Sequence, residues 1–249
     1  HFAGLDQSFS IYDDVDQLKI IKNIYEELDI NPKKINPRII SSEISKAKNL
    51  GLNPISFKNK ASTYLDEIVS RIYLRYQEII DQANACDFDD LLMKTKNVLI
   101  DNKDLRDKWS NKYKQVIIDE FQDTNPLQFE ISNLITNEEK SISVVGDPDQ
   151  SIYSWRHAVP TNLLEFKKNY KECLVVNLDE SYRSTQQILD AADSIISNNS
   201  NRFKRKLWTK KTNGSLIDFD FYTDEEDEAI SIASKISKQI KEGRSPNEI

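Results

Sequence analysis

The 249-residue chain has only five glycines, Gly4, Gly51, Gly146, Gly214 and Gly243. A protein of this length ordinarily carries about 17, at roughly 7%. The five are scattered, which excludes a G-x-G-x-x-G or G-x-x-x-x-G-K-[ST] phosphate cradle within this stretch. Any nucleotide bound here would take its phosphate loop from elsewhere. Histidine is scarcer still: His1 and His157 alone exclude a histidine-rich metal site. Cys86 and Cys173 lie too far apart for a metal motif or a disulfide framework, and their apolar neighbours suggest buried free thiols. No apolar run approaches the roughly 18 residues of a membrane span. The opening HFAGLDQSF has neither the basic start nor the apolar stretch of a signal peptide. A reducing, cytoplasmic setting fits. Positive charge is also short, with 34 Lys and Arg against 41 Asp and Glu. Bulk charge therefore gives no sign of a nucleic-acid partner, although a groove can be basic on an acidic protein.

What is present is enough to fold. Hydrophobic residues make up 38% of the chain, which places it among globular rather than disordered sequences. Its length allows one large domain or two small ones. The chain opens on His1 rather than Met, which suggests a fragment.

The first hundred residues read as helices. Asp14-x-x-Gln17 resembles a capping box, followed by Leu18, Ile21, Tyr25 and Leu28 at helical spacing. Asn36-Pro37 pairs an N-cap with proline at the first helical position, and Ile40, Ile44 and Ala47 follow until Gly51. Residues 63–82 carry the strongest stripe, Leu65, Ile68, Val69, Ile72, Tyr76, Ile79 and Ile80. Asp87 caps the next helix.

The pattern changes near residue 114. Gln115–Ile118, Ile142–Val145 and Cys173–Val176 are short β-branched runs separated by helical stretches. That spacing predicts parallel strands buried on both faces. Asn125-Pro126 opens one connecting helix, and residues 160–169 form another. A helix begins at Ser184-x-x-Gln187, read as a second capping box. The segment Arg202–Lys211 holds six basic residues in ten, with Phe203 and Trp208 between them. It suits a nucleic-acid path or a packed hairpin equally. A strand near Ile217–Tyr222, a helix over 226–242 and a strand lead-in at Pro246 complete the chain.

Chemistry gathers at the strand ends, where open α/β sheets bind ligands. Asp119-Glu120 follows the first strand; two adjacent carboxylates there can hold a hydrated Mg²⁺ and polarise a water. In isolation the pair is equally an ordinary solvated loop. Gly146-Asp147-Pro148-Asp149-Gln150 follows the second strand. Glycine permits a tight turn there, and Gln150 could reach a ligand between the strand ends. Tyr153, Trp155 and Arg156 suit stacking on bases, or a plug at a domain interface. Tyr182-Arg183 follows the third run, and Arg183 could face a phosphate or pair with Asp179 or Glu180.

Three longer stretches are linked in order and spacing: Val116–Asn125 (VIIDEFQDTN), Val144–Arg156 (VVGDPDQSIYSWR) and Leu178–Thr185 (LDESYRST). Together they resemble motifs II, III and IV of superfamily-1 helicases, with the UvrD/PcrA/Rep group the nearest match. Ser181 stands where that group has asparagine, and His157 where it has glycine. The resemblance implies an α/β fold: a RecA-like parallel-sheet motor core of the P-loop NTPase type with an all-helical insertion subdomain. Residues 1–113 would be the insertion, 114–178 the end of the first motor domain and 179–249 the start of the second. The phosphate loop would lie upstream and later motifs downstream. By the same resemblance, Asp119 would hold Mg²⁺ on the phosphates of ATP, with Glu120 beside it as general base or water-positioning group. Gln150 would contact the γ-phosphate, Arg183 would be an arginine finger and Tyr182 would stack on adenine. Tyr153, Trp155 and Arg156 would touch single-stranded DNA. The implied activity is ATP-driven 3′→5′ movement on single-stranded DNA and unwinding at single-strand/duplex junctions, with repair or replication proteins as partners. Two rival expectations are the motor part of a helicase–nuclease and a non-catalytic DNA-binding clamp.

Overall fold

The computed structural model describes residues 2–136, 141–153, 162–170, 172–199, 205–212 and 214–249. The chain divides into two compact units, His1–Val175 and Val176–Ile249. No helix among the described residues is long and apolar enough to cross a membrane.

The first unit begins with β1 (Ser10–Tyr12), followed by α1 (Asp14–Glu27), α2 (Pro37–Asn49), α3 (Pro54–Lys60) and α4 (Tyr64–Gln82). β2 (Ala85–Asp87), α5 (Phe88–Asp101) and α6 (Lys103–Lys112) follow. The apolar stripes of α1, α2 and α4 form one core in which Ile24, Ile40, Val69, Ile72, Tyr73 and Tyr76 are wholly buried. Asn36, Asn53, Thr63 and Asp87 each accept a backbone N–H at their helix's start, as N-cap side chains do. The box at α1 is Asp13 with Asp16, one residue before the expected Asp14 and Gln17, because aspartate at the third helical position closes it equally well.

The expected all-helical character needs correction. β1 pairs in parallel with β2, Ile11 opposite Cys86, across the helices between them. A three-residue strand is too short to show a period. β2 is moreover buried at every position, so it shows no alternation. Burial pushes the Cys86 thiol up to about 11, which keeps it an inert thiol. Cys173, expected to be buried, is only half-buried.

The end of α2 carries the most demanding packing in the unit. Lys48 is fully buried, with Nζ 2.6 Å from Asp87 Oδ2 and 2.7 Å from Asp90 Oδ1. Its ammonium also lies over the rings of Tyr76 and Tyr73, and the Tyr76 hydroxyl donates to Asp87 Oδ2 at 2.8 Å. Burial raises the Asp90 carboxyl, and Lys48 pulls it back. A buried charge group tolerates loss of one partner poorly.

β3 (Gln115–Ile118), α7 (Pro126–Leu134) and β4 (Ser141–Val144) make a parallel β-α-β unit with Val116 opposite Ile142 and Ile118 opposite Val144. The expected burial on both faces is not found. Gln115 and Ile117 are exposed while Val116 and Ile118 are half-buried, the alternation of a sheet covered on one side. α8 (Asn162–Asn169) brings Phe166 edge-to-face with Phe121, which stands edge-to-face with Phe129.

The expected strands at 173–176 and 217–222 are absent. Leu174, Val175 and Val176 are exposed, as are Ile217, Phe219 and Phe221. A parallel strand exists only through its ladder, and neither run has a described neighbour to pair with. Among the described residues, the second unit holds α9 (Gln186–Ile196) and α10 (Glu225–Lys241), with one bridge between Glu180 and Trp208. α9 is capped at Thr185 without a side-chain bond, so the expected box at Ser184 and Gln187 does not form. Pro246–Glu248 forms a short 3-10 turn.

Replacing Lys48 with Met should destabilise the 249-residue chain by about 3–5 kcal/mol, because two carboxylates stay buried without their cation. Glu27→Ala, which breaks the exposed pair with Arg75, should cost under about 1 kcal/mol. Urea unfolding of the two variants measures the difference.

Candidate functional site at the ends of two parallel strands

Parallel pairing of β3 and β4 sets their carboxyl ends side by side. The ladder continues past both strands: Val145 N–H donates to Ile118 O at 2.8 Å, and Phe121 N–H donates to Val145 O at 2.9 Å. The loops 119–125 and 145–153 are thereby joined at their roots. Asp119 and Glu120 are both exposed at this edge. Asp119 Oδ1 accepts the Glu120 backbone N–H at 2.9 Å.

Glu120 has a left-handed backbone, φ 49° and ψ 41°. For a residue with a Cβ that conformation costs about 1–2 kcal/mol. Its neighbour Phe121 is wholly buried in the aromatic cluster. The turn therefore sinks Phe121 into the core and leaves the Glu120 carboxylate at the surface. Such strain is characteristic of functional positions.

Gln122 follows, buried to 1% exposure. Its Nε2 donates to Glu120 Oε2 at 2.7 Å, and its Oε1 accepts Asp147 N–H at 2.9 Å. One buried side chain thus holds both loops. Gly146 packs directly against it: a Cβ there would stand 2.6 Å from Gln122 Oε1. Gly146 is needed for this close approach, not for the tight turn expected from the sequence, and it is not among the positive-φ glycines.

Gln150 ends the short 3-10 turn Pro148–Gln150, exposed, with Nε2 on Asp147 Oδ2 at 2.6 Å. Tyr153 is 36% exposed on the same loop. Trp155 and Arg156 lie outside the described residues, as do His157, Phe203 and Arg202. The structure thus brings Asp119, Glu120 and the Gln150 loop together.

In the second unit, Tyr182 is 78% exposed and its hydroxyl donates to Glu180 Oε2 at 3.0 Å. Arg183 is exposed. Among the described residues, Glu180 pairs with Lys210 at 3.3 Å rather than with Arg183.

Two sets of residues escaped the sequence reading. Gln122 lay inside a quoted stretch, but nothing in the sequence marks an amide as buried. The second set backs the site from below. Asn125 caps α7 and donates through Nδ2 to Asn49 Oδ1 at 2.6 Å; Asn49 in turn donates to Asp89 Oδ1 at 2.8 Å. Asn49 adjoins the buried Lys48, and Asp89 adjoins Asp90. A signal existed here: Lys48 sits four residues after Ile44, on the stripe side of α2.

Residues 1–171 match the UvrD/REP helicase N-terminal domain, and residues 176–249 match the UvrD-like helicase C-terminal domain. The chain belongs to the UvrD/REP helicase family. It is 37% identical over 241 residues to the ATP-dependent DNA helicase PcrA of Staphylococcus aureus strain Mu50 / ATCC 700699 and 39% identical to that of Bacillus subtilis strain 168. The enzyme of the same name from Leuconostoc citreum is 38% identical over 239 residues. These alignments cover 96–97% of this chain but 32–33% of each relative, so the chain spans about a third of their length.

Asn125→Ala should destabilise the chain by about 2 kcal/mol, since it removes a cap and strands the buried Asn49 oxygen. Asn53→Ala removes an exposed cap of the same Asn-Pro type and should cost about 1 kcal/mol. Equal losses in urea unfolding would mean that the Asn49 contact adds nothing.

Proposed function

We propose that this chain forms part of an ATP-dependent DNA helicase that moves 3′→5′ on single-stranded DNA and opens duplex at junctions. The observation that carries this reading is the joined pair of loops at the ends of β3 and β4. They place two carboxylates beside the loop bearing Gln150 and Tyr153. In this proposal β3 and β4 belong to a RecA-like sheet. The aligned relatives are named ATP-dependent DNA helicases, which supports the helicase part of this reading.

The donor set fits Mg²⁺. That ion takes hard oxygen ligands and is usually held by one or two carboxylates together with substrate phosphates and water. Asp119 and Glu120 offer such oxygens at an exposed edge, and no larger metal-binding cluster occurs among the described residues. Bound there, Mg²⁺ would neutralise phosphate charge. Asp119 is assigned to hold it. Glu120 accepts the proton of the attacking water or orients that water, from a surface position that the left-handed turn secures. Gln150 exchanges its bond to Asp147 for the γ-phosphate. Arg183 supplies an exposed guanidinium fork for phosphate oxygens, and Tyr182 offers an exposed ring for adenine. Tyr153, Trp155 and Arg156 contact single-stranded DNA through stacking and charge. This stretch has no glycine-rich phosphate loop, so turnover is assigned to the full-length protein and not to these 249 residues alone.

In the full-length protein, Glu120→Gln should lower ATP hydrolysis by about 10²–10⁴-fold, the usual contribution of a general base. Nucleotide binding should persist, and retained hydrolysis would overturn the assignment. Trp155→Ala should weaken single-stranded DNA binding by about 1–3 kcal/mol, the value of one stacked base. Fluorescence anisotropy with a labelled oligonucleotide reads the loss.

A further inference from the structure

We infer that Gln122 is a positioning residue that couples the Glu120 carboxylate to the loop carrying Gln150 and Tyr153. The inference rests on the helicase reading above and deepens it. Its basis is the two-ended engagement of one buried amide. Nε2 is 2.7 Å from Glu120 Oε2, and Oε1 is 2.9 Å from Asp147 N. The side chain is 1% exposed, so it is held by its protein partners, Nε2 also lying 3.5 Å from Asp123 Oδ2. A planar amide is rigid between its oxygen and nitrogen. Displacing Glu120 therefore either breaks a buried bond or moves the Asp147 end with it.

Three further contacts keep the strut tight. Gln122 O accepts the Ser151 hydroxyl at 3.4 Å, further along the same loop. Asp147 Oδ1 accepts the Asp149 N–H at 3.0 Å, and Asp147 Oδ2 holds the Gln150 amide at 2.6 Å. Motion arriving at Asp147 N thus reaches Gln150 through the Asp147 side chain. Gly146 closes the last escape. A Cβ there would lie 2.6 Å from the Gln122 oxygen, and 3.2 and 3.3 Å from the backbone nitrogens of Phe121 and Gln122. In this arrangement Gln122 reports a change at the carboxylate to the residues assigned to the γ-phosphate and to DNA. It touches neither ligand itself.

The test uses the full-length enzyme and four forms: wild type, Gln122→Ala, Gly146→Ala and the double variant. The readout is DNA stimulation, the ratio of ATP turnover with and without a single-stranded oligonucleotide. Each single variant should lose about tenfold of that stimulation, the factor for a lost hydrogen bond to a charged group. The KM for ATP should stay within about twofold, as expected when binding is spared and a later step is impaired. The double variant should lose clearly less than the two single losses combined, because the 2.6 Å clash with the amide is gone and only the backbone approaches at 3.2 and 3.3 Å remain. Additive losses, or unchanged stimulation in either single variant, would overturn the role. If Gln122→Ala melts below the assay temperature, Gly146→Ala decides alone, by stimulation lowered or unchanged in a folded protein. A wild type with no DNA-stimulated turnover would instead overturn the helicase reading itself.

Discussion

Everything proposed for the site depends on the parallel pairing of β3 with β4. Without that ladder, residues 119–125 and 145–153 would be two unrelated loops. With it, Ile118, Phe121 and Val145 lock the loop roots together through backbone bonds of 2.8 and 2.9 Å. Parallel strands present both carboxyl ends on one edge, which is why α/β sheets collect ligands there. The buried amide of Gln122 adds a second tie, made from a side chain and therefore able to respond to what a neighbouring side chain does.

The helical part of the first unit serves this edge. α5 leads from Asp87 and Asp90, which hold the buried Lys48, and it bears Asp89, which holds Asn49. Asn49 holds Asn125, the cap of the helix that follows the carboxylate loop. Polar groups buried this deeply are costly unless paired, and here each of these contacts is satisfied by another member of the chain. Phe121 adds an apolar anchor from the other side. The loop is thus fixed by a cap behind it and an aromatic cluster beneath it, which makes the left-handed Glu120 tolerable.

Local rules made much of this legible. The helices that begin after Asn36 and Asp87 follow from Asn36-Pro37 and Asp87 as caps, and the helix expected over 63–82 follows from its apolar stripe. β3 and β4 follow from β-branched runs ending in acid. The strands at 173–176 and 217–222 were overread because β-propensity speaks of side chains, while a strand needs a partner backbone. β1 and β2 were missed for the opposite reason: pairing creates them, and three residues carry no period. At the site, the carboxylates and Gln150 were readable from position alone. Gln122 and Asn49 were not, since a buried amide and a solvated one look alike in a sequence. A glycine at 146 suggests backbone freedom in the sequence, whereas its value in the structure lies in the space it leaves for Gln122 Oε1.

The proposed function links nucleotide chemistry at this edge energetically to DNA binding through the adjoining loop. Linkage is reciprocal, so it can be read from binding alone. The most direct measurement is the affinity of the full-length protein for a single-stranded oligonucleotide, with and without a saturating non-hydrolysable ATP analogue. The account predicts that the analogue shifts that affinity by at least about fivefold, the lower end of coupling between linked sites. An affinity indifferent to the nucleotide would contradict it.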